Sequence, residues 1–138
     1  MRILFIGAGR MGLPIISSWK KGSGHKSIDI HLVEKLEANI NKIKKENIKV
    51  NFYKKIPKKW KGDVIFFAVK PQDFKKVAEE INLNNVLFKN IVSIMAGITT
   101  SKIRSYLKTQ TSVTRVMPNL AVEVLSLIHI SEPTRPLG

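Results

Sequence analysis

Three glycines near the start of the chain, Gly7, Gly9 and Gly12, stand in G-x-G-x-x-G spacing directly behind the apolar run Ile3-Leu4-Phe5-Ile6. That pattern is suited to holding a diphosphate on bare backbone amides. Gly7 serves a tight turn out of a strand, Gly9 lets the backbone approach the anion with no Cβ between them, and Gly12 lets the following helix pack close to the strand. The anion would then rest on the free N–H groups and positive end of a helix beginning near Met11. A second chemical feature is Glu34, twenty-two residues past Gly12, where a dinucleotide fold keeps an acid for the adenosine ribose 2′-OH. Glu34 favours NAD, while Lys35 beside it suits a 2′-phosphate, so this pair leaves NADP(H) or NAD(H) open. No catalytic acid–base pair is evident. His25 and His31 are isolated in the sequence, Glu79-Glu80 falls on an exposed helix face, and no residue is assigned to a metal.

These groups need elements to position them, and the hydrophobic periodicity supplies six strands alternating with helices. Residues 3–6 read as a strand buried on both faces, followed by a helix with Met11, Ile15, Ile16 and Trp19 on its apolar face. Lys20-Lys21-Gly22-Ser23-Gly24 is its stop signal. Residues 28–33 form the second strand, and residues 35–45 a helix with Leu36, Ile40 and Ile43 on one stripe. Ile48, Val50 and Phe52 alternate in a third strand. Val64 to Val69, the most apolar run in the chain, is the natural central strand, ended by Lys70-Pro71-Gln72. Proline expels Lys70 from helical geometry and starts a helix facing inward with Phe74, Val77, Ala78 and Ile81. Residues 91–95 are a fifth strand, Thr99 to Ser101 offer caps for a helix carrying Ile103, Tyr106 and Leu107, and residues 112–116 are a sixth strand. The order implies an α/β fold, a Rossmann-type doubly wound, mostly parallel six-stranded sheet with helices on both faces.

Composition narrows the function classes. The 138 residues suffice for one domain with a core. Cysteine is absent, which excludes disulfides, zinc–thiolate sites and thiol catalysis. The net charge of +14 would suit nucleic acid, and nine lysines fall between Lys42 and Lys61, interleaved with Phe52, Tyr53 and Trp60. The excess is almost all lysine, however, whereas base reading and bidentate phosphate binding favour arginine. The cluster is read as a solvated face over packed aromatics, with a nucleic-acid-binding module as the alternative from another class. The leading apolar run is too short for a signal peptide, and no run approaches a membrane span. The expectation is a soluble, cytoplasmic protein that binds neither nucleic acid nor membrane.

Four blocks in order, Ile6-Gly7-Ala8-Gly9-Arg10-Met11-Gly12, Ala68-Val69-Lys70-Pro71-Gln72, Ser93-Ile94-Met95-Ala96-Gly97-Ile98 and Arg115-Val116-Met117-Pro118-Asn119, resemble the signature of the pyrroline-5-carboxylate reductases. The resemblance runs from residue 1 to about Val124. It implies an NAD(P)H-dependent oxidoreductase acting on a C=N bond: hydride goes to 1-pyrroline-5-carboxylate, giving L-proline in the last step of proline biosynthesis. A protonated cyclic imine is already electrophilic, so positioning and water exclusion can carry the chemistry, in keeping with a sequence that offers no catalytic pair. By resemblance, Ile6 to Met11 and Ala68 to Pro71 contact the cofactor. Met95, Ala96, Gly97, Met117, Pro118 and Asn119 lie near the substrate. Another reductase with the same N-terminal fold, deazaflavin-dependent NADP reductase or prephenate-dehydrogenase-like, is the alternative. Ala68-Val69-Lys70-Pro71-Gln72 together with Met117-Pro118-Asn119 speaks against it.

The resemblance also implies a further helical domain for dimerisation, which would supply much of the substrate pocket. Residues 125–138 do not match it, and Ser131-Glu132-Pro133-Thr134-Arg135-Pro136 looks like read-through of non-native sequence. The expectation is a nucleotide-binding domain over residues 1–124 and a disordered or loosely packed tail over 125–138. Such a fragment would have little or no activity and be a monomer, where the full-length enzyme is a homo-oligomer.

Overall fold

A computed structural model describes residues 1–21 and 28–131. Gly22, Ser23, Gly24 and His25, and the tail from Glu132 onward, lie outside the described residues, as do the side chains of Arg10 and Trp19. The strands are β1 (Arg2–Ile6), β2 (Asp29–Val33), β3 (Val50–Tyr53), β4 (Val64–Phe67), β5 (Asn90–Ser93) and β6 (Val113–Arg115). The helices are α1 (Gly9–Lys21), α2 (Glu37–Lys45), α3 (Phe74–Leu83), α4 (Thr100–Leu107) and α5 (Ala121–Ser131). Short 3₁₀ turns at Pro71–Asp73 and Pro118–Leu120 lead into α3 and α5.

All five strand pairings are parallel and the order is β3-β2-β1-β4-β5-β6. Parallel neighbours need a crossover helix, so both faces of the sheet are covered and the central strands carry apolar residues on both sides. In β1, Ile3 and Phe5 enter one core, and Leu4 and Ile6 the other. β4 repeats the split, with Val64 and Phe66 on the first face and Ile65 and Phe67 on the second. The first core is closed by Ile15 and Ile16 of α1, Ile43 of α2 and Ala121 and Leu125 of α5. The second is closed by Phe74, Ala78 and Ile81 of α3 and Ile103 and Leu107 of α4. The doubly wound sheet expected from the alternation is therefore the fold observed.

Several boundaries differ, each for a local reason. Helix α1 begins at Gly9 instead of near Met11, and Met11 is 55% exposed. The inward positions of its first turns are Gly12, Ile15 and Ile16, one residue round from the expected stripe. Leu36 is 61% exposed because it is the residue before α2, in extended backbone. β4 ends at Phe67, two residues before the expected end, although the Ala68 amide still donates to the Ile6 carbonyl oxygen at 2.9 Å. The boundary expected at residue 124 falls inside α5, and Leu125 is fully buried. Ala121, Leu125 and Ile128 stand at i, i+4 and i+7 and pack on the first core.

His31 packs inside the sheet, with Nδ1 2.8 Å from Tyr53 Oη and Nε2 3.0 Å from Asp29 Oδ2. Burial pushes the Asp29 carboxyl up, but hydrogen bonds and charge from His31 and Arg2 outweigh it and hold the group below its ordinary value. The nine lysines between Lys42 and Lys61 are exposed, while Trp60 is buried and Phe52 and Tyr53 are half-buried. Among the described residues no helix is long and apolar enough to cross a membrane.

Candidate functional site

The site forms where the sheet order reverses, between β1 and β4, because neighbouring crossovers leave opposite faces there and open a crevice at the carboxyl ends of the strands. Registration keeps those ends level: Ile6 is opposite both Val33 and Phe67, and Phe67 opposite Ser93.

The glycine loop is shaped by two constraints of different kinds. At Gly7 the backbone has φ +81°, and an added Cβ would lie 2.9 Å from Val69 Cγ1 and 3.3 Å from the Ala68 carbonyl carbon and oxygen. Glycine there is required by the protein itself. At Gly9, φ is +47° but an added Cβ would meet nothing within 4 Å. The space over Gly9 is open. Gly12 packs tightly, its hypothetical Cβ 3.1 Å from the Gly7 carbonyl oxygen and 3.4 Å from Ala68 Cβ, which seats α1 against the end of β4.

Next to this loop lies a cavity of about 750 Å³. Ala8, Gly9 and Met11 line it from the loop, Ala68 to Pro71 from the end of β4, Ile94 to Ala96 from the end of β5, and Arg115 to Pro118 from the end of β6. The walls are apolar, and Lys70 and Arg115 are the two cations among the lining residues. Of the residues nominated from sequence, Ala8, Gly9, Met11, Ala68, Val69, Lys70, Pro71, Met95, Ala96, Met117 and Pro118 meet around this one cavity. Gly97 and Asn119 stand outside its lining, each on the turn just beyond the strand end. Ile6, Gly7 and Gly12 form the support beneath it. Ile94, Val116 and Arg115, members of the same blocks to which the sequence assigns no site role, complete the lining. The signal for Arg115 was available: a cation immediately before Val116-Met117-Pro118, at the carboxyl end of a strand.

Glu34 does a job that its position alone did not reveal. Its side chain is buried, Oε1 accepts the Ala8 amide at 2.8 Å, and Oε2 accepts the Leu36 amide at 3.0 Å. One carboxylate thus ties the glycine loop to the turn before α2. Lys35 is exposed, and neither it nor Glu34 lines the cavity. A little further on, Lys54 Nζ lies 2.8 Å from Glu37, and its hydrogen bond and charge hold the Glu37 carboxyl below its ordinary value.

The arrangement fits a nicotinamide dinucleotide. The loop offers open backbone at Gly9 beside the amino end of α1 for the diphosphate, and the apolar cavity across β4 and β5 has room for a planar ring and a small substrate.

A family model described as NADP oxidoreductase, coenzyme F420-dependent, matches residues 2–97. Curated relatives include the pyrroline-5-carboxylate reductase of Staphylococcus epidermidis, 30% identical over 125 residues, and that of Staphylococcus aureus, 32% identical over 125 residues. Each alignment covers 90% of this chain and 46% of the relative, so the chain spans about half the length of the curated relatives it matches. Among solved structures, a pyrroline-5-carboxylate reductase from Coxiella burnetii superposes with a TM-score of 0.62 at 22% identity, over 82% of this chain and 42% of that one. This last likeness bears on the fold.

Proposed function

The chain belongs to the family described as NADP oxidoreductase, coenzyme F420-dependent, and we propose that within it this chain is the cofactor-binding half of a pyrroline-5-carboxylate reductase. What supports the reading is that residues from all four sequence blocks of the resemblance border one cavity, beside a glycine loop with open space at Gly9. The curated relatives aligned over 90% of the chain bear that name.

When bound, the reduced nicotinamide supplies the hydride that reduces the C=N carbon of 1-pyrroline-5-carboxylate to L-proline. The chain's own part is to bind, orient and exclude water. The amides of Gly9 to Met11, at the amino end of α1, hold the diphosphate. The apolar ends of β4 and β5, with Met95 and Ala96, form a dry floor that fixes the reacting faces together, and proximity of this kind supplies much of the rate when the imine is already electrophilic. Lys70 and Arg115 attract the substrate carboxylate, with Met117, Pro118 and Asn119 at the rim. The longer protein to which such a half belongs would work in the cytoplasm as a homo-oligomer, its second half completing the substrate pocket.

A chimera tests this. Residues 1–124 followed by the second half of the S. epidermidis relative should oxidise NADH or NADPH when given 1-pyrroline-5-carboxylate, and not when given oxidised coenzyme F420. A folded chimera with the reverse preference would replace this reading with that of a deazaflavin reductase.

A further inference from the structure

We infer that Glu34 makes this chain select NADH over NADPH, against the expectation its family description carries; the inference rests on the dinucleotide reading of the glycine loop. Glu34 follows the last residue of β2, and its carboxylate accepts the amides of Ala8 and Leu36 at 2.8 and 3.0 Å. Ala8 itself lines the cavity. The carboxylate therefore sits at the edge of the site where the end of β2 meets the adenosine ribose. It cannot swing aside, because either movement would strip a backbone N–H of its partner.

The chemistry of a carboxylate fixed in this way decides between the two cofactors. Each oxygen has a lone pair beyond the one given to its amide, so the group can still accept hydrogen bonds and can donate none. Ribose 2′- and 3′-hydroxyls are donors and match it. A 2′-phosphate is a dianion that brings only acceptors to an acceptor, and it would meet a negative charge only 7% exposed, where solvent screens poorly. The amides that could have received the phosphate are already taken by Glu34. Among the described side chains, compensating cations are weakly placed. Lys35 is exposed, so its attraction is screened. Lys54, the next candidate, is engaged with Glu37.

The test is a fluorescence titration of the 138-residue chain with NADH and with NADPH at fixed ionic strength, alongside displacement of bound NADH by adenosine 5′-monophosphate and by adenosine 2′,5′-bisphosphate. NADH should bind at least about tenfold tighter, and the monophosphate should displace it at lower concentration than the bisphosphate. Glu34→Gln, checked for an intact thermal transition, should bring the two cofactors within about threefold of each other, while Lys35→Ala leaves the wild-type ratio in place. Equal or tighter binding of NADPH by the wild-type chain would overturn the inference and leave the dinucleotide site standing. Displacement by the bisphosphate as readily as by the monophosphate would overturn it even if Glu34→Gln failed to fold. Failure of both cofactors to bind would remove the dinucleotide reading itself.

Discussion

Gly7 and Gly9 are two residues apart, share a positive φ, and should respond to alanine in opposite ways. At Gly7 the new methyl group would stand 2.9 Å from Val69 Cγ1 and 3.3 Å from the Ala68 carbonyl. The side chain can yield but the backbone of a central strand end cannot. Adding the cost of a left-handed residue, about 1–2 kcal/mol, to overpacking of about 1–3 kcal/mol gives a loss of roughly 2–5 kcal/mol. For a domain of this length, about 4 °C per kcal/mol turns that into a melting point lowered by roughly 8–20 °C. At Gly9 the methyl meets nothing within 4 Å, so only the backbone cost of about 1–2 kcal/mol remains, and the chain stays folded within an ordinary stability margin of about 5–15 kcal/mol. The same methyl would occupy the volume into which a diphosphate must come, and binding of NADH should weaken by about tenfold or more. Differential scanning fluorimetry and nicotinamide fluorescence on the two variants read both quantities. A Gly9→Ala chain that binds cofactor as well as the wild type would refute the placement of the diphosphate over Gly9. A Gly7→Ala chain as stable as the wild type would refute the steric reasoning behind the loop.

Two further outcomes follow from the packing. Leu125→Ala removes a fully buried side chain from the first core and should cost about 2–5 kcal/mol, seen as a melting point lower by roughly 8–20 °C; an unchanged transition would mean that α5 is not docked. Asp29, held below its ordinary value with His31 and Arg2 beside it, contributes stability that is present above the unfolded-state value and is lost as pH falls through the lower folded one. Asp29→Asn should therefore lower the midpoint at neutral pH and flatten the acid limb of a midpoint-against-pH curve, and parallel acid limbs for the two proteins would contradict this.

The sequence alone determined the sheet. Its strands alternate with helical periods, and β1 and β4 are apolar on consecutive residues, which only strands covered on both faces require; right-handed crossovers then leave few orders besides the one observed. It also determined the loop, since glycine spacing is a local property of the backbone. What tertiary structure alone decided is which residues face one another. Periodicity assigns a residue to a face of its own element, but the cavity is bounded by the ends of β4, β5 and β6, whose relative heights depend on inter-strand register. Hence Arg115, Val116 and Ile94 line the cavity while Gly97 and Asn119, the residues directly after the lining residues Ala96 and Pro118, do not. The same holds for Glu34: its position past Gly12 marked it as a residue of interest, but only the folded chain brings the amides of Ala8 and Leu36 to its two oxygens. Leu125 is likewise an unremarked leucine until α5 lies across the sheet, because burial belongs to a pair of surfaces and a sequence describes them one at a time.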